Sequence, residues 1–182
     1  MDEQLDFVRL IAERLTSIGV EYMLTGSMAM AAYGNPRMTR DVDIVTECSG
    51  QDADAIVRLF EEDCYINRDA VLEAIANRSM FNIIHNEWII KAGFIVRKDD
   101  PYHQTEFGRR REITVAGSPL VVVAPEDLIL SKLKWAQESQ SELQMRDVRE
   151  LMATGIALDR EYLEQWAQTL GVRASLQDVG DE

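Results

Sequence analysis

The spacing of apolar residues in the first half of the chain alternates between helical and strand-like periods. Over residues 4–18 apolar side chains recur every three or four positions, which predicts an amphipathic helix that ends at Gly19. Two short apolar stretches, residues 20–25 and 41–46, predict strands. Further helices are predicted between and after these strands, over residues 28–33, 51–62 and 69–77.

The period changes to two in the middle of the chain and returns to helical spacing at Pro125. Strands are predicted over residues 81–85, 88–96, 112–115 and 119–123, and helices over 125–138, 142–153 and 159–169. This order predicts an α/β (α+β) fold, in which a mixed sheet is flanked by helices. We expect the α/β domain to span residues 1–123, a C-terminal helical segment packed on it to span 124–172, and a flexible tail to span 173–182.

Composition narrows the class of protein. A chain of 182 residues, 46% hydrophobic and 28% charged, is typical of one globular domain. The net charge of −13 argues against a nonspecific nucleic-acid binder, which needs basic surface. Cys48 and Cys64 are too few for a disulfide scaffold. Without a recognisable signal peptide or membrane span, we expect a cytoplasmic protein with no membrane partner.

Asp41 and Asp43 form the first candidate site. They lie two residues apart in a predicted strand, so both side chains project from the same face. The β-branched neighbours indicate a buried strand, where two like charges are costly unless a cation neutralises them. We therefore predict a metal site, and hard oxygen ligands favour Mg²⁺ or Mn²⁺ over zinc. The alternative is a solvated strand edge.

The Gly26-Ser27 turn is the second candidate site, because it follows an apolar strand and precedes a short helix. Glycine at such a turn lets backbone N–H groups approach a phosphate. The alternative is an ordinary turn in which Ser27 caps the helix.

These two motifs together resemble the nucleotidyltransferase superfamily, which has the DNA polymerase beta-like fold. The signature is Gly-Ser, a spacer, and the Asp-apolar-Asp-apolar run Asp41-Val42-Asp43-Ile44. More narrowly, the chain resembles small bacterial nucleotidyltransferase-like proteins related to AbiEii-type toxins of toxin–antitoxin modules. That resemblance extends through the segments 81–85, 91–92, 124–133 and 144–148.

The resemblance implies a metal-dependent nucleotidyltransferase that moves a nucleoside monophosphate from an NTP to an acceptor hydroxyl on RNA, a protein or a small molecule. Asp41 and Asp43 map onto catalytic carboxylates that bind one or two Mg²⁺ (or Mn²⁺) ions. A cognate antitoxin is an implied partner. The expected nucleotide-binding residues are Gly26, Ser27, Arg37, Arg40, Lys91 and Lys132.

Several of these assignments have structural alternatives. Arg37 and Arg40 are placed to meet phosphate or to pair with Asp41, and Lys91 is either a phosphate contact or a snorkelling lysine. Lys132 resembles a triphosphate-facing lysine or lies on a solvated helix face. Asp147 is a possible auxiliary acid or a member of an ion pair within its helix.

The third carboxylate of the superfamily is missing. The resemblance implies an acid on the strand after Lys91, and Gly93 stands at that degenerate position. Three alternatives remain open: a catalytically weakened pseudoenzyme that still binds nucleotide, metal or a protein partner; substitution by Glu87, Asp99 or Asp147; or a site with one metal. Losing a positioned base costs about 10²- to 10⁴-fold in rate.

Overall fold

The computed structural model describes residues 2–36 and 41–180, and within them the chain folds as a seven-stranded mixed sheet flanked by helices. The strands are β1 (Glu21–Thr25), β2 (Asp41–Glu47), β3 (Cys64–Tyr65), β4 (Met80–His85), β5 (Lys91–Val96), β6 (Arg111–Val115) and β7 (Ser118–Val122). The helices are α1 (Asp2–Ser17), α2 (Gly26–Ala32), α3 (Ala53–Phe60), α4 (Arg68–Asn77), α5 (Pro101–Gly108), α6 (Pro125–Ser139), α7 (Glu142–Ala153), α8 (Arg160–Leu170) and α9 (Arg173–Gly180).

The sheet order is β3-β4-β5-β2-β1-β7-β6, which confirms the predicted fold class. The central strand β2 runs antiparallel to β1 and parallel to β5. On the other side of β5, β4 pairs antiparallel with β5, and β3 pairs antiparallel with β4 at the edge of the sheet. Among the described residues, no helix is long and apolar enough to span a lipid bilayer.

One face of the β2-β5-β4 region is the hydrophobic core. Phe94 of β5 is fully buried, lies 5.0 Å from the stacked ring of Phe81, and meets the ring of Phe60 edge-on at 5.8 Å. The alternating side chains of β2 place Val42 and Ile44 on this buried face. The opposite face of the same three strands carries Asp41 and Asp43 of β2, Lys91 of β5 and Asn82 of β4.

Three elements differ from the sequence-based expectation, and the first is the short strand β3, which was not predicted. Helix α5 was not predicted: the Asp100 side chain accepts hydrogen bonds from the N–H groups of Tyr102 and His103, and Pro101 occupies the first turn. The flexible tail predicted over 173–182 is wrong for residues 173–180, which form α9. This helix buries Leu176 and Val179, and that burial offsets the entropy cost of ordering the chain end.

A polar cluster joins α5 to the C-terminal helices. Arg109 pairs with Glu126 at 2.9 Å and with Asp127 at 3.1 Å, and its guanidinium lies 3.7 Å from the centre of the Tyr162 ring. The Tyr162 hydroxyl donates to Asp127 at 2.5 Å. Arg109 is therefore engaged with side chains of α6 and α8.

Glu106 makes stability depend on pH. Burial, and then the charges of Asp127 and Asp100, raise the pKa of this carboxyl from 4.5 to about 8. Because the unfolded chain ionises first, stability falls as pH rises from about 4.5 through 8. We expect Glu106→Gln to increase the free energy of unfolding by roughly 4 to 5 kcal/mol at pH 8.5, at about 1.4 kcal/mol per unit of the pKa shift.

Urea unfolding at two pH values checks this. The gain should be much smaller at pH 5.5, which lies only about one unit above the ordinary pKa of 4.5, so little of the free energy of ionising the unfolded chain has accumulated there. An equal effect at both pH values would contradict a raised pKa.

Candidate functional site

The carboxylates of Asp41 and Asp43 lie on the same face of β2, opposite the core. The Asp41 side chain is 54% exposed and Asp43 is half-buried. The predicted burial of the strand holds for Val42 and for Ile44–Thr46, whereas the end of β2 that carries the two aspartates is accessible. A face that is open to solvent can admit a ligand.

Gly26 brings the turn after β1 against Asp43. Its φ is +62°, and a Cβ at this position would lie 2.3 Å from Oδ2 of Asp43. Only glycine satisfies both the backbone conformation and this contact. The backbone of the Gly-Ser turn and the second carboxylate are therefore immediate neighbours, as a site for metal and phosphate requires.

Ser27 does not have the capping role weighed from the sequence. The N-cap of α2 is Thr25, which makes no side-chain capping bond, and the helix begins at Gly26. Ser27 is buried within the first turn. Because α2 begins at Gly26, its N-cap lies at Thr25, two residues before the position expected from the sequence.

Lys91 extends from β5 beside the first carboxylate. Asp41 and Lys91 are register partners, and Nζ of Lys91 lies 3.2 Å from Oδ1 of Asp41. Both side chains are about half exposed, so this ion pair contributes about 1 kcal/mol or less and opens readily. Its role in nucleotide binding stays a prediction.

The strand register places Gly93 beside Asp43. The two residues are partners across β2 and β5, and a Cβ on Gly93 would lie 3.6 Å from Oδ1 of Asp43. A side chain at position 93 would therefore project next to the second carboxylate. In the residues that the structure describes, no group of three or more His, Cys, Asp or Glu side chains could hold a metal.

Lys132 and Asp147 lie together in the helical segment. Nζ of Lys132 on α6 donates to Oδ2 of Asp147 on α7 at 2.6 Å and to Oε1 of Gln144 at 3.0 Å. Both charged side chains are almost fully buried. This contact joins α6 to α7, whereas the sequence suggested a pair within α7. Nucleotide binding by Lys132 and an auxiliary role of Asp147 stay predictions.

The burial of this pair predicts a stability effect. Lys132→Met should lower the free energy of unfolding by about 3 kcal/mol, because it removes the ammonium beside a buried carboxylate. Lys134→Met is the control on the same helix, since Lys134 pairs with Glu138 at 3.5 Å on the surface. That variant should lose less than about 1 kcal/mol. Urea denaturation of the two variants measures the difference, and equal losses would contradict the account.

Arg37 and Arg40 lie outside the described residues. Of the acids considered as substitutes at position 93, Asp99 pairs with Arg78 at 2.6 Å and Glu87 lies exposed in the turn after β4.

Sequence reasoning missed Asn82 and Met80 on β4. Asn82 is the register partner of Gly93, and its Oδ1 lies 3.6 Å from the position that a Cβ on Gly93 would take. Sδ of Met80 lies 3.2 Å from the same position. The register of β4 against β5 places both residues at the site, and the alternating pattern predicted the two strands without fixing that register.

Solved structures with this fold include several nucleotidyltransferases. ANT(2'')-Ia in complex with adenylyl-2''-tobramycin is 14% identical, with 97% of this chain and 98% of that chain covered and a TM-score of 0.61. The lincosamide antibiotic adenylyltransferase LnuA, bound to lincomycin, is 13% identical, with 85% and 98% covered and a TM-score of 0.58. A protein of Thermotoga maritima named as a nucleotidyltransferase is 19% identical, with 82% and 94% covered and a TM-score of 0.55. At these identities the likeness shows the fold.

The family assignment comes from the sequence itself. A comparison with curated proteins gave no match. The family model described as aminoglycoside-2''-adenylyltransferase matches residues 7–112, more than half of the chain, and this match includes Gly26, Asp41, Asp43 and Gly93. The predicted superfamily is confirmed, while the link to AbiEii-type toxins stays a prediction. The chain belongs to the aminoglycoside-2''-adenylyltransferase family of nucleotidyltransferases, which are transferases of phosphorus-containing groups.

Proposed function

We propose that this protein is a Mg²⁺-dependent adenylyltransferase that moves AMP from ATP to a hydroxyl group of a small molecule. The observation that carries the proposal is the contact between Gly26 and Asp43 on the accessible face of β2, with Asp41 on the same face. The family assignment supports ATP as the nucleotide, and the names of ANT(2'')-Ia and LnuA support an antibiotic-like acceptor.

The residues present fit a divalent cation. Mg²⁺ is commonly held by one or two carboxylates together with phosphate oxygens and water, and Asp41 and Asp43 supply two carboxylates on one face. When bound, the cation would neutralise charge on the triphosphate and polarise the phosphorus–oxygen bonds. Gly93 has no side chain, and the described residues contain no group of three acids that could hold a metal. Ligands for a second cation are therefore lacking in the described residues, and we propose that the site binds one cation.

The chain's own residues would position the reactants. The backbone of Gly26 and Ser27 would receive phosphate oxygens, and Lys91 would exchange Asp41 for a phosphate oxygen when the nucleotide binds. The acceptor oxygen then forms a bond to the α-phosphorus, and the bond between that phosphorus and the bridging oxygen breaks to release pyrophosphate. Because Gly93 carries no base, the hydroxyl proton passes to water.

A small-molecule acceptor fits the chain better than RNA. The net charge of −13 opposes a polyanionic acceptor. The toxin–antitoxin role and the cognate antitoxin, which follow from the narrower resemblance, stay predictions.

The test is transfer of label from α-³²P-ATP with Mg²⁺ to a panel of tobramycin, lincomycin, other hydroxyl-bearing small molecules and an RNA pool. We expect a labelled small-molecule product and release of pyrophosphate. Glu73→Gln, a change at an exposed acid on α4, is the control and should transfer at the wild-type rate. Binding of ATP without transfer to any acceptor would favour the second candidate function, a non-catalytic nucleotide-binding protein, for which Gly93 is the specific observation.

A further inference from the structure

Asn82 on β4 lies beside Gly93, the position at which the expected third carboxylate is missing. Asp43, Gly93 and Asn82 are consecutive partners across β2, β5 and β4. Residues paired in this way share one face of a sheet. The row of three therefore carries a carboxylate, then no side chain, then a carboxamide.

The two oxygens meet across the glycine. A Cβ on Gly93 would lie 3.6 Å from Oδ1 of Asp43 and 3.6 Å from Oδ1 of Asn82. Both oxygens therefore lie within van der Waals contact distance of the same point. An acid at position 93 would occupy the space beside these two oxygens. Because residue 93 is glycine, no side chain of β5 lies between Asp43 and Asn82.

Two side chains border this point from β4, but only one suits a hard cation. Met80 places its Sδ 3.2 Å from the same point, and a thioether is a soft ligand that Mg²⁺ does not favour. The carboxamide oxygen of Asn82 is a hard ligand on an exposed side chain. Lys91, two residues before Gly93 on β5, carries an ammonium group and cannot ligate a cation.

We propose that the carboxamide oxygen of Asn82 takes the place of the third carboxylate and serves as a neutral ligand of the cation held by Asp41 and Asp43. This inference rests on the proposed metal site. A carboxamide gives the site a ligand charge of two carboxylates rather than three, which favours one bound cation over two. Asn82 cannot accept the acceptor's proton as a carboxylate would, so it completes binding and leaves the base missing.

The test is a titration of the full chain with Mn²⁺ in the absence of nucleotide. The EPR signal of free Mn²⁺ measures how much of the ion is bound. We expect one equivalent to bind, Asn82→Ala to weaken the affinity about tenfold, and Asn82→Asp to strengthen it. Asn77→Ala, a change at an exposed residue at the end of α4, is the matched control and should bind as the wild type does.

A second readout observes Asn82 itself. Its side-chain NH₂ resonances, assigned by their loss in Asn82→Ala, should shift during a Mg²⁺ titration and saturate with the dissociation constant that Mg²⁺ shows when it displaces Mn²⁺ in the EPR experiment. Unchanged resonances, or an Asn82→Ala variant that binds Mn²⁺ within twofold of wild type while Asp43→Asn does not, would overturn the role of Asn82 alone. Wild-type affinity in Asp43→Asn would instead overturn the proposed metal site.

Discussion

Gly93→Asp is expected to raise the rate of nucleotidyl transfer by about 10²-fold, since a positioned general base contributes 10² to 10⁴. The Cβ of the new side chain would lie 3.6 Å from Oδ1 of Asp43, so its carboxylate would project beside the proposed cation site. Room for it depends on Met80, whose Sδ would be 3.2 Å from the new Cβ. Because this sulfur is at the far end of a flexible, exposed side chain, a shift of a few tenths of an ångström suffices. Steady-state kinetics with labelled ATP measures the gain.

Gly93→Ala separates the carboxylate from the bulk of a side chain. Alanine adds the same Cβ without a base, so its rate should stay at or below the wild-type rate. The pH profile gives an independent check. The wild-type rate should keep rising with pH because the proton leaves to water, whereas the Gly93→Asp rate should level off once the carboxyl is ionised. Equal rates for Gly93→Asp and wild type would contradict the placement of the missing acid.

Asp43→Asn should abolish transfer, with a loss of at least about 10³-fold, because it removes the carboxylate that touches the Gly26 turn. The folded state should survive, since asparagine has nearly the same shape as aspartate. Thermal melts in the absence of Mg²⁺ should therefore show a midpoint close to that of wild type.

The same variant distinguishes a catalytic role from a structural one. If transfer falls and the melting temperature without Mg²⁺ is unchanged, the carboxylate acts on the reaction. Stabilisation of the wild type by Mn²⁺ should also disappear in Asp43→Asn, because only a folded state with the site gains from the ligand. Transfer at more than a tenth of the wild-type rate would contradict the assignment of Asp43.

The local elements near the site were predictable from the sequence because their patterns are local. The short apolar stretch over residues 41–46 predicted β2, and the Asp-apolar-Asp spacing placed Asp41 and Asp43 on one face. Glycine after an apolar strand gave the turn at residue 26. The position of Gly93 opposite Asp43 followed from the family resemblance, and the register of β2 and β5 supplies its geometric reason.

The remaining features depend on contacts between distant segments. Asn82 reaches the site only through the register of the β4-β5 hairpin, and the sequence alone does not fix that register. The contact of Lys132 with Asp147 requires α6 and α7 to pack face to face. Helix α5 lacks a clear apolar period, so its start was marked only by Asp100 and Pro101.

The position of a bound cation tests the central claim most directly. A crystal grown with Mn²⁺ and a non-hydrolysable ATP analogue should show one anomalous manganese peak in coordination contact with Asp41, Asp43 and a phosphate oxygen, at about 2 to 2.2 Å. The triphosphate should lie against the Gly26-Ser27 turn. A manganese peak and nucleotide density elsewhere in the molecule, with water alone beside the two aspartates, would contradict the account.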